Sequence, residues 1–437
     1  MRLVVFVLLL VFVGFVWHPL TSSYEEDSVL ITSSSQLLNL LEKSPSAETT
    51  TPENARRARR QPLQASSPSI ISKNQINMSS VRVLFEKDVA KDFFNQTEFE
   101  GTYFRSSPPC TPLSVDQVSF TLVTQASMDR LWIMKHQCER WPAPLPISVA
   151  VYLPPDSPYD ETQVARELSI QLECDLDRMQ ITVLRGNAPI EQYPVNLLRN
   201  LAFRTVTTSH VMYTDSDFLI SNGLHDDLMA MAPTMANDSL AAIVVPAFIY
   251  HSACPEKFSS KHIRALSCFA QEWEIDVPKN KLDLIRLWEK KKDSKPNVKQ
   301  GFHGVHFHGS TQYSPYKNQK DPLLIPCISS YLYEPYLAVR LCENLPEFPE
   351  VFRGYGWNKN IWILWLTRKL PYKLWQTPRG FVVHLPHETS ASWRKRNQPG
   401  KTSSSVNPPE HDRYLKWFKN EVPQHPDRIP SCPGTTK

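Results

Sequence analysis

Between Phe120 and Thr214 the chain repeats one unit, a short apolar run followed by an amphipathic stretch of helical period, and few folds accept that pattern. The apolar runs are Phe120–Thr124, Ile147–Leu153, Met179–Leu184 and His210–Thr214. Between them, Ser127 is placed to cap a helix through Leu131, Met134 and Cys138, and further helical periods cover Glu161–Leu172 and Asn196–Val206. Strands that alternate with helices at this spacing predict a mostly parallel sheet with right-handed crossovers. In such sheets ligands sit at the carboxyl ends of the strands. The residues just beyond His210–Thr214 are therefore the first place to look for chemistry.

Those residues are Asp215, Ser216 and Asp217. If the extended backbone continues, side chains at i and i+2 share a face. Two carboxylates there suit Mn²⁺ or Mg²⁺, hard ions that commonly bind through one or two carboxylates together with substrate phosphates. The same pattern taken alone also fits Asp217 capping the next turn while Asp215 is solvated.

The rest of the chain sets the compartment. The 437 residues are 41% hydrophobic, enough for a sizeable core, and 48 basic against 44 acidic residues in mixed order exclude a field that would select nucleic acid. Arg2 precedes an apolar stretch from Leu3 to Trp17, which fits a cleaved signal peptide or a short signal anchor with the bulk of the chain in the lumen. Asn77, Asn95 and Asn237 each begin an N-glycosylation acceptor pattern. The eight cysteines lack C-x-x-C spacing, which favours disulfides over zinc. No H-E-x-x-H motif supports a metallohydrolase. Residues 21–80 are rich in Ser, Thr, Pro and Glu and predict a flexible stem, within which Arg56–Arg60 marks a processing site or a solvated basic run. A polar, Pro-rich stretch from Arg394 to Pro409 precedes a C-terminal helix around Tyr414–Val422.

Seven segments in one order, "TLVTQASMDRLW" (121–132), "ISVAVYLP" (147–154), "YPVNLLRNLA" (193–202), "YTDSDFL" (213–219), "YEPYLAVR" (333–340), "GYGWNKN" (354–360) and "FVVHLPHETS" (381–390), closely resemble glycosyltransferase family 49. That family holds the LARGE glucuronyltransferase domain and the beta-1,4-glucuronyltransferase that acts on dystroglycan glycans. The resemblance implies a GT-A glycosyltransferase fold, with a Rossmann-like nucleotide-sugar half continuous with an acceptor half. The layout expected is a signal anchor or signal peptide at 1–20, a flexible stem and lead-in at 21–114, a GT-A domain at 115–393, and a polar linker with a C-terminal helix and tail at 394–437.

The resemblance also implies transfer from a UDP-sugar, glucuronic acid in particular, with inversion, to a glycan or glycoprotein acceptor in the Golgi lumen. Mn²⁺, or Mg²⁺ in its place, would be held by Asp215, Asp217 and a histidine, either His384 or His387. His384 is preferred because it ends the apolar run Phe381–Val383. Arg199 and Asn200 are expected to meet the nucleotide or its diphosphate. The Gly354–Asn358 turn offers close backbone approach, Trp357 for stacking on a sugar, and Asn358 beside it. Arg353 and Lys359 offer charge to a glucuronate carboxylate, and Glu334 is the candidate base. Ser216 stands where the family more often has Ile or Val, and "HETSASWRKRN" departs from the family's continuation after the second histidine. The His-rich stretch 302–311 is expected to be a solvated loop. A lumenal glycan-binding protein without turnover is the competing function, and other UDP-sugars are the competing donors.

Overall fold

The structure, a computed structural model, describes residues 78–89, 107–252, 277–291, 294–301, 305–387, 390–397 and 409–433, all within the unit Ser67–Lys437. Thirteen strands are found among them: β1 (Val81–Phe85), β2 (Phe120–Ser127), β3 (Ile147–Leu153), β4 (Met179–Arg185), β5 (His210–Tyr213), β6 (Phe218–Ile220), β7 (Ala241–Val245), β8 (Ala247–His251), β9 (Asn297–Gln300), β10 (Leu323–Leu324), β11 (Tyr336–Arg340), β12 (Lys373–Gln376) and β13 (Val382–His384). They form a nine-stranded sheet in the order β1-β4-β3-β2-β5-β11-β7-β12-β10 and a four-stranded sheet in the order β6-β13-β8-β9. The protein is a mixed α/β structure.

From β1 to β5 every pairing is parallel, as the strand–helix alternation requires. Every residue of β3 and β5 is buried. Both faces of this half are therefore covered, which is why these segments show continuous apolar runs and not alternation. The Val195–Arg204 helix lies over β2 and β3 and buries Leu197, Leu198, Leu201 and Phe203. Removing one such side chain, as in Leu198→Ala, is expected to cost about 2–5 kcal/mol. The Ser148 hydroxyl, buried beneath the helix, donates to the Ala202 carbonyl at 2.7 Å and so has a partner.

Beyond β5 the sheet becomes mixed. β11 runs antiparallel between β5 and β7, β12 is parallel to β7, and β10 is antiparallel to β12. β11 enters from a distant part of the chain and brings Tyr336 to the end of β5. The smaller sheet does the same for a histidine, because β13 pairs with β6 in the register His384↔Phe218.

Other expectations are met with shifted bounds or fail. The lead-in is not all stem, since β1 pairs with β4 as an edge strand of the main sheet. The C-terminal helix spans Pro409–Asn420 and buries Tyr414 and Phe418 against Val351, Phe352, Ile361 and Trp365. In the His-rich stretch, His308 is only 4% exposed, and its neighbour Phe307 accepts the Glu334 N–H through its carbonyl at 2.7 Å. The solvated-loop expectation fails there because the chain is pinned to the site's own loop.

Disulfides join Cys110 to Cys342, Cys138 to Cys174 and Cys327 to Cys432, while Cys254 and Cys268 lie outside the described residues. The N-terminal apolar stretch, Arg56–Arg60, Asn77 and Asn95 also lie outside them. Among the described residues no helix is long and apolar enough to cross a membrane. A cavity of about 450 Å³ opens beside Thr121, Pro146, Arg178 and Gln180, at the starts of β2 and β4. That is the opposite end of the sheet from the carboxylates.

Candidate active site

The chain leaves β5 at Tyr213 and turns at once. The Phe218 N–H donates to the Asp215 carbonyl at 3.1 Å, so Asp215–Phe218 is a turn and not a continuation of the strand. The expectation that both carboxylates share an extended face is thus corrected. The turn points them into different surroundings.

Asp215 is held by protein groups on both oxygens. Its Oδ1 accepts from Arg199 Nη2 at 2.7 Å and from the Tyr213 hydroxyl, while Oδ2 accepts from the Tyr336 hydroxyl at 2.9 Å and Lys359 Nζ at 3.3 Å. Arg199 and Lys359 are nearly inaccessible, with side chains 3% and 6% exposed. Burial pushes the Asp215 carboxyl up, but the Arg199 and Lys359 charges outweigh it and hold the group well below the usual carboxylate range. Asp215 is the anchor of a charge network joining β5, the Val195–Arg204 helix, β11 and the Asn358–Leu364 helix.

Asp217 faces histidines. Its Oδ2 lies 3.1 Å from His387 Nε2, 3.8 Å from His384 Nε2 and 3.3 Å from Arg130 Nη1. The two Nε2 atoms are 3.0 Å apart. Register explains the meeting: His384 pairs with Phe218 across β13 and β6, and the Leu385 N–H donates to the Asp217 carbonyl at 3.0 Å. His387 follows one short turn later. Burial pushes Asp217 up, yet the His387 hydrogen bond and the charges of His387, His384 and Arg130 hold it well below the usual range.

Among the described residues, Asp217, His384 and His387 are the group of carboxylate and imidazole side chains whose ligand atoms converge closely enough to hold a metal ion. Of the expected set, Asp217 lies beside both candidate histidines, while Asp215 is hydrogen-bonded to protein groups on both of its oxygens. Two imidazoles with one carboxylate favour a transition ion such as Mn²⁺ over Mg²⁺, which prefers oxygen ligands.

Several other site residues have different partners from those expected. Arg199 does not present an open fork to a nucleotide, since it donates to Asp215 and to the Asn196 side chain at 2.8 Å. The Asn200 amide donates to the Phe348 carbonyl and to Glu350, and its oxygen accepts the Phe348 N–H, so it braces the 347–350 segment. Asn358 donates to the Gly354 carbonyl at 3.1 Å and closes the turn. Arg353 pairs with buried Glu86, at the end of β1, and is not available to a glucuronate there. Lys359 bridges Asp215 and Glu334, the latter at 3.7 Å. Glu334 keeps 24% of its side chain exposed. Burial raises its carboxyl above the ordinary value, and nearby Lys359 opposes that rise.

Gly354 and Gly356 adopt φ of +67° and +104°, which only glycine takes without strain. Trp357 follows at φ +61°, and a left-handed backbone costs a bulky residue roughly 1–2 kcal/mol. Arg130, Tyr213 and Tyr336 were not singled out as site residues from sequence. Each lies inside a quoted motif, which was the available signal.

The sequence model of the family described as "Glycosyl-transferase for dystroglycan" matches residues 162–407, more than half of the chain. The chain belongs to this glycosyltransferase family. Human Xylosyl- and glucuronyltransferase LARGE2 is 31% identical over 286 residues, covering 65% of this chain and 34% of that protein. The mouse protein of the same name is 31% identical over 285 residues, with 65% and 36% covered. Glycosyltransferase-like protein gnt14 of Dictyostelium discoideum is 28% identical over 273 residues, with 62% and 37% covered. The chain thus spans about a third of the length of these curated relatives. A crystal structure of S. aureus TarS 1–349 in complex with UDP overlaps 61% of this chain and 60% of that one, at a TM-score of 0.35 and 10% identity, which is too low to transfer anything.

Proposed function

We propose that this chain is a metal-dependent glycosyltransferase with a GT-A-type fold that moves a sugar from a UDP-sugar, glucuronic acid first among the candidates, to a hydroxyl of a glycan. The observation that carries this is the convergence of Asp217, His384 and His387 at the carboxyl end of the sheet, in a chain of this family. The donor set fits a divalent transition ion, and the choice of Mn²⁺ among these rests on the family resemblance. When bound, that ion would supply positive charge to the departing diphosphate. Asp217, His384 and His387 would hold it, while Arg130 and the charge network around Asp215 keep the Asp217 turn in place.

Glu334 is the proposed base. It accepts the proton of the acceptor hydroxyl as that oxygen bonds to the anomeric carbon, and the bond from that carbon to the UDP oxygen breaks with inversion. Its raised carboxyl suits a group that must take up a proton. A glucuronate carboxylate needs a cation, since burying it unpaired would cost several kcal/mol. Lys359 has three donors, two of them directed to Asp215 and Glu334, and is the candidate for that cation. The donor rests on family resemblance and on the names of the relatives.

Three disulfides and an exposed Asn237 at a helix end support a secretory compartment. We place the chain in the Golgi lumen, held by an N-terminal signal anchor, with a secreted form after cleavage near Arg60. A glycosidase-induced gel shift checks the compartment. The activity is tested by assaying purified protein with a panel of UDP-sugars and Mn²⁺, with and without chelator. Turnover of UDP-glucuronic acid that chelator abolishes is expected. Turnover of UDP-xylose alone would overturn the donor, and glycan binding with no donor turned over would overturn the enzyme.

A further inference from the structure

Two aromatic rings lie on segments leading to Glu334 and Lys359, and one of them, Trp357, is expected from sequence to stack on a sugar. Tyr331 and Trp357 stack with centroids 6.1 Å apart and planes 18° from parallel. Trp357 rests its inner side on the apolar cluster around Val351 and Phe418, whereas Tyr331 is 49% exposed. An exposed tyrosine laid on an indole adds little to a core, so the pair needs another explanation.

Both rings sit on segments that lead directly to reacting groups. Tyr331 lies three residues before Glu334, on a loop fixed at several points. The Cys327–Cys432 disulfide and the Ile328↔Ser431 bridge hold its start, and the Leu332 carbonyl accepts from the Asn360 side chain at 3.0 Å. Trp357 immediately precedes the helix that carries Lys359 to Glu334 and Asp215. Its left-handed backbone, unusual for a bulky residue, sets the indole against Tyr331. Tyr355, two residues before Trp357, is a further aromatic side chain there, 41% exposed. The segments that lead to Glu334 and Lys359 thus carry partly exposed aromatic rings, whereas Asp217 is bordered by His384, His387 and Arg130.

This inference deepens the proposed function and rests on it for the role of Glu334. We propose that Tyr331 and Trp357 form the platform on which the acceptor's terminal pyranose stacks, presenting one hydroxyl to Glu334. A diphosphate belongs on the charged side. An uncharged pyranoside with equatorial hydroxyls has an apolar C–H face, which matches an aromatic surface that keeps one edge wet.

The test uses the full chain with UDP and methyl β-glucopyranoside, methyl β-galactopyranoside and methyl β-xylopyranoside, read by saturation-transfer NMR. At least one glycoside should receive saturation on its ring C–H protons. Tyr331→Ala and Trp357→Gly should lose that signal, and Tyr331→Phe should keep it. Trp357→Gly puts at φ +61° the residue that tolerates it best, so the ring is removed without backbone strain. In turnover, Tyr331→Ala should raise the acceptor KM about tenfold and leave the donor KM unchanged. No signal from any of the three glycosides with the natural chain, or a signal that survives both ring deletions, overturns the platform. Because the NMR readout needs no turnover, glycoside binding without donor turnover would sink the proposed function and leave the platform standing.

Discussion

Asp215 and Asp217 are two residues apart in sequence, and the protein treats them in opposite ways. Asp215 is surrounded by groups that complete it, two buried cations and two tyrosine hydroxyls, so its charge is answered inside the fold. Asp217 shares its space with two imidazoles whose Nε2 atoms are 3.0 Å apart, an arrangement suited to an ion between them. One turn separates a carboxylate answered by cations and hydroxyls from one set beside two imidazoles. Their environments, and not the D-x-D spacing, set them apart.

The contrast breaks most visibly under substitution. Asp217→Asn should lower metal-dependent turnover by about 10³-fold or more, because an ion's Lewis-acid contribution amounts to several kcal/mol at the transition state. Turnover within tenfold of the natural chain would contradict this. Asp215→Asn should act on stability, costing about 3 kcal/mol in denaturant unfolding, since Arg199 and Lys359 lose their shared partner in a nearly closed site. Asp217→Asn should shift the same unfolding curve by less than about 1 kcal/mol. Equal destabilisation by the two variants would erase the distinction.

The first half of the fold was legible because it is local. Continuous apolar runs such as Ile147–Leu153 announce strands covered on both faces, and the helices between them fix parallel crossovers. The mixed half was not, since β11 inserts beside β5 from over 100 residues away with no local signal of its partner. The site divides in the same way. Asp217 and the two histidines were visible as residue types at a strand end, but the lock on Asp215 is assembled from Arg199, Tyr336 and Lys359 at separations of 16, 121 and 144 residues. Only the fold brings those together. Asn200 and Asn358 looked like ligand contacts because short polar side chains in a motif serve backbone bracing and binding equally well.

Smaller effects sharpen the comparison. His384→Ala and His387→Ala should each weaken Mn²⁺ binding at least about tenfold by titration, and neither should disturb the Asp215 network. A silent His387→Ala would return the site to a single histidine. The pH profile should show Glu334. Because its carboxyl is raised and the base form is the active one, kcat/KM should fall as pH drops through a value above the ordinary 4.5, and Glu334→Gln should remove that limb. A limb unchanged in Glu334→Gln would assign the base elsewhere.

The division of labour between the two carboxylates is tested most directly by Mn²⁺ electron paramagnetic resonance on the natural chain, Asp215→Asn and Asp217→Asn, without nucleotide. The account predicts that free Mn²⁺ signal is quenched by the natural chain and by folded Asp215→Asn, and persists with Asp217→Asn. Loss of binding in Asp215→Asn as complete as in Asp217→Asn, with the protein still folded, would show that both carboxylates hold the ion and would contradict it.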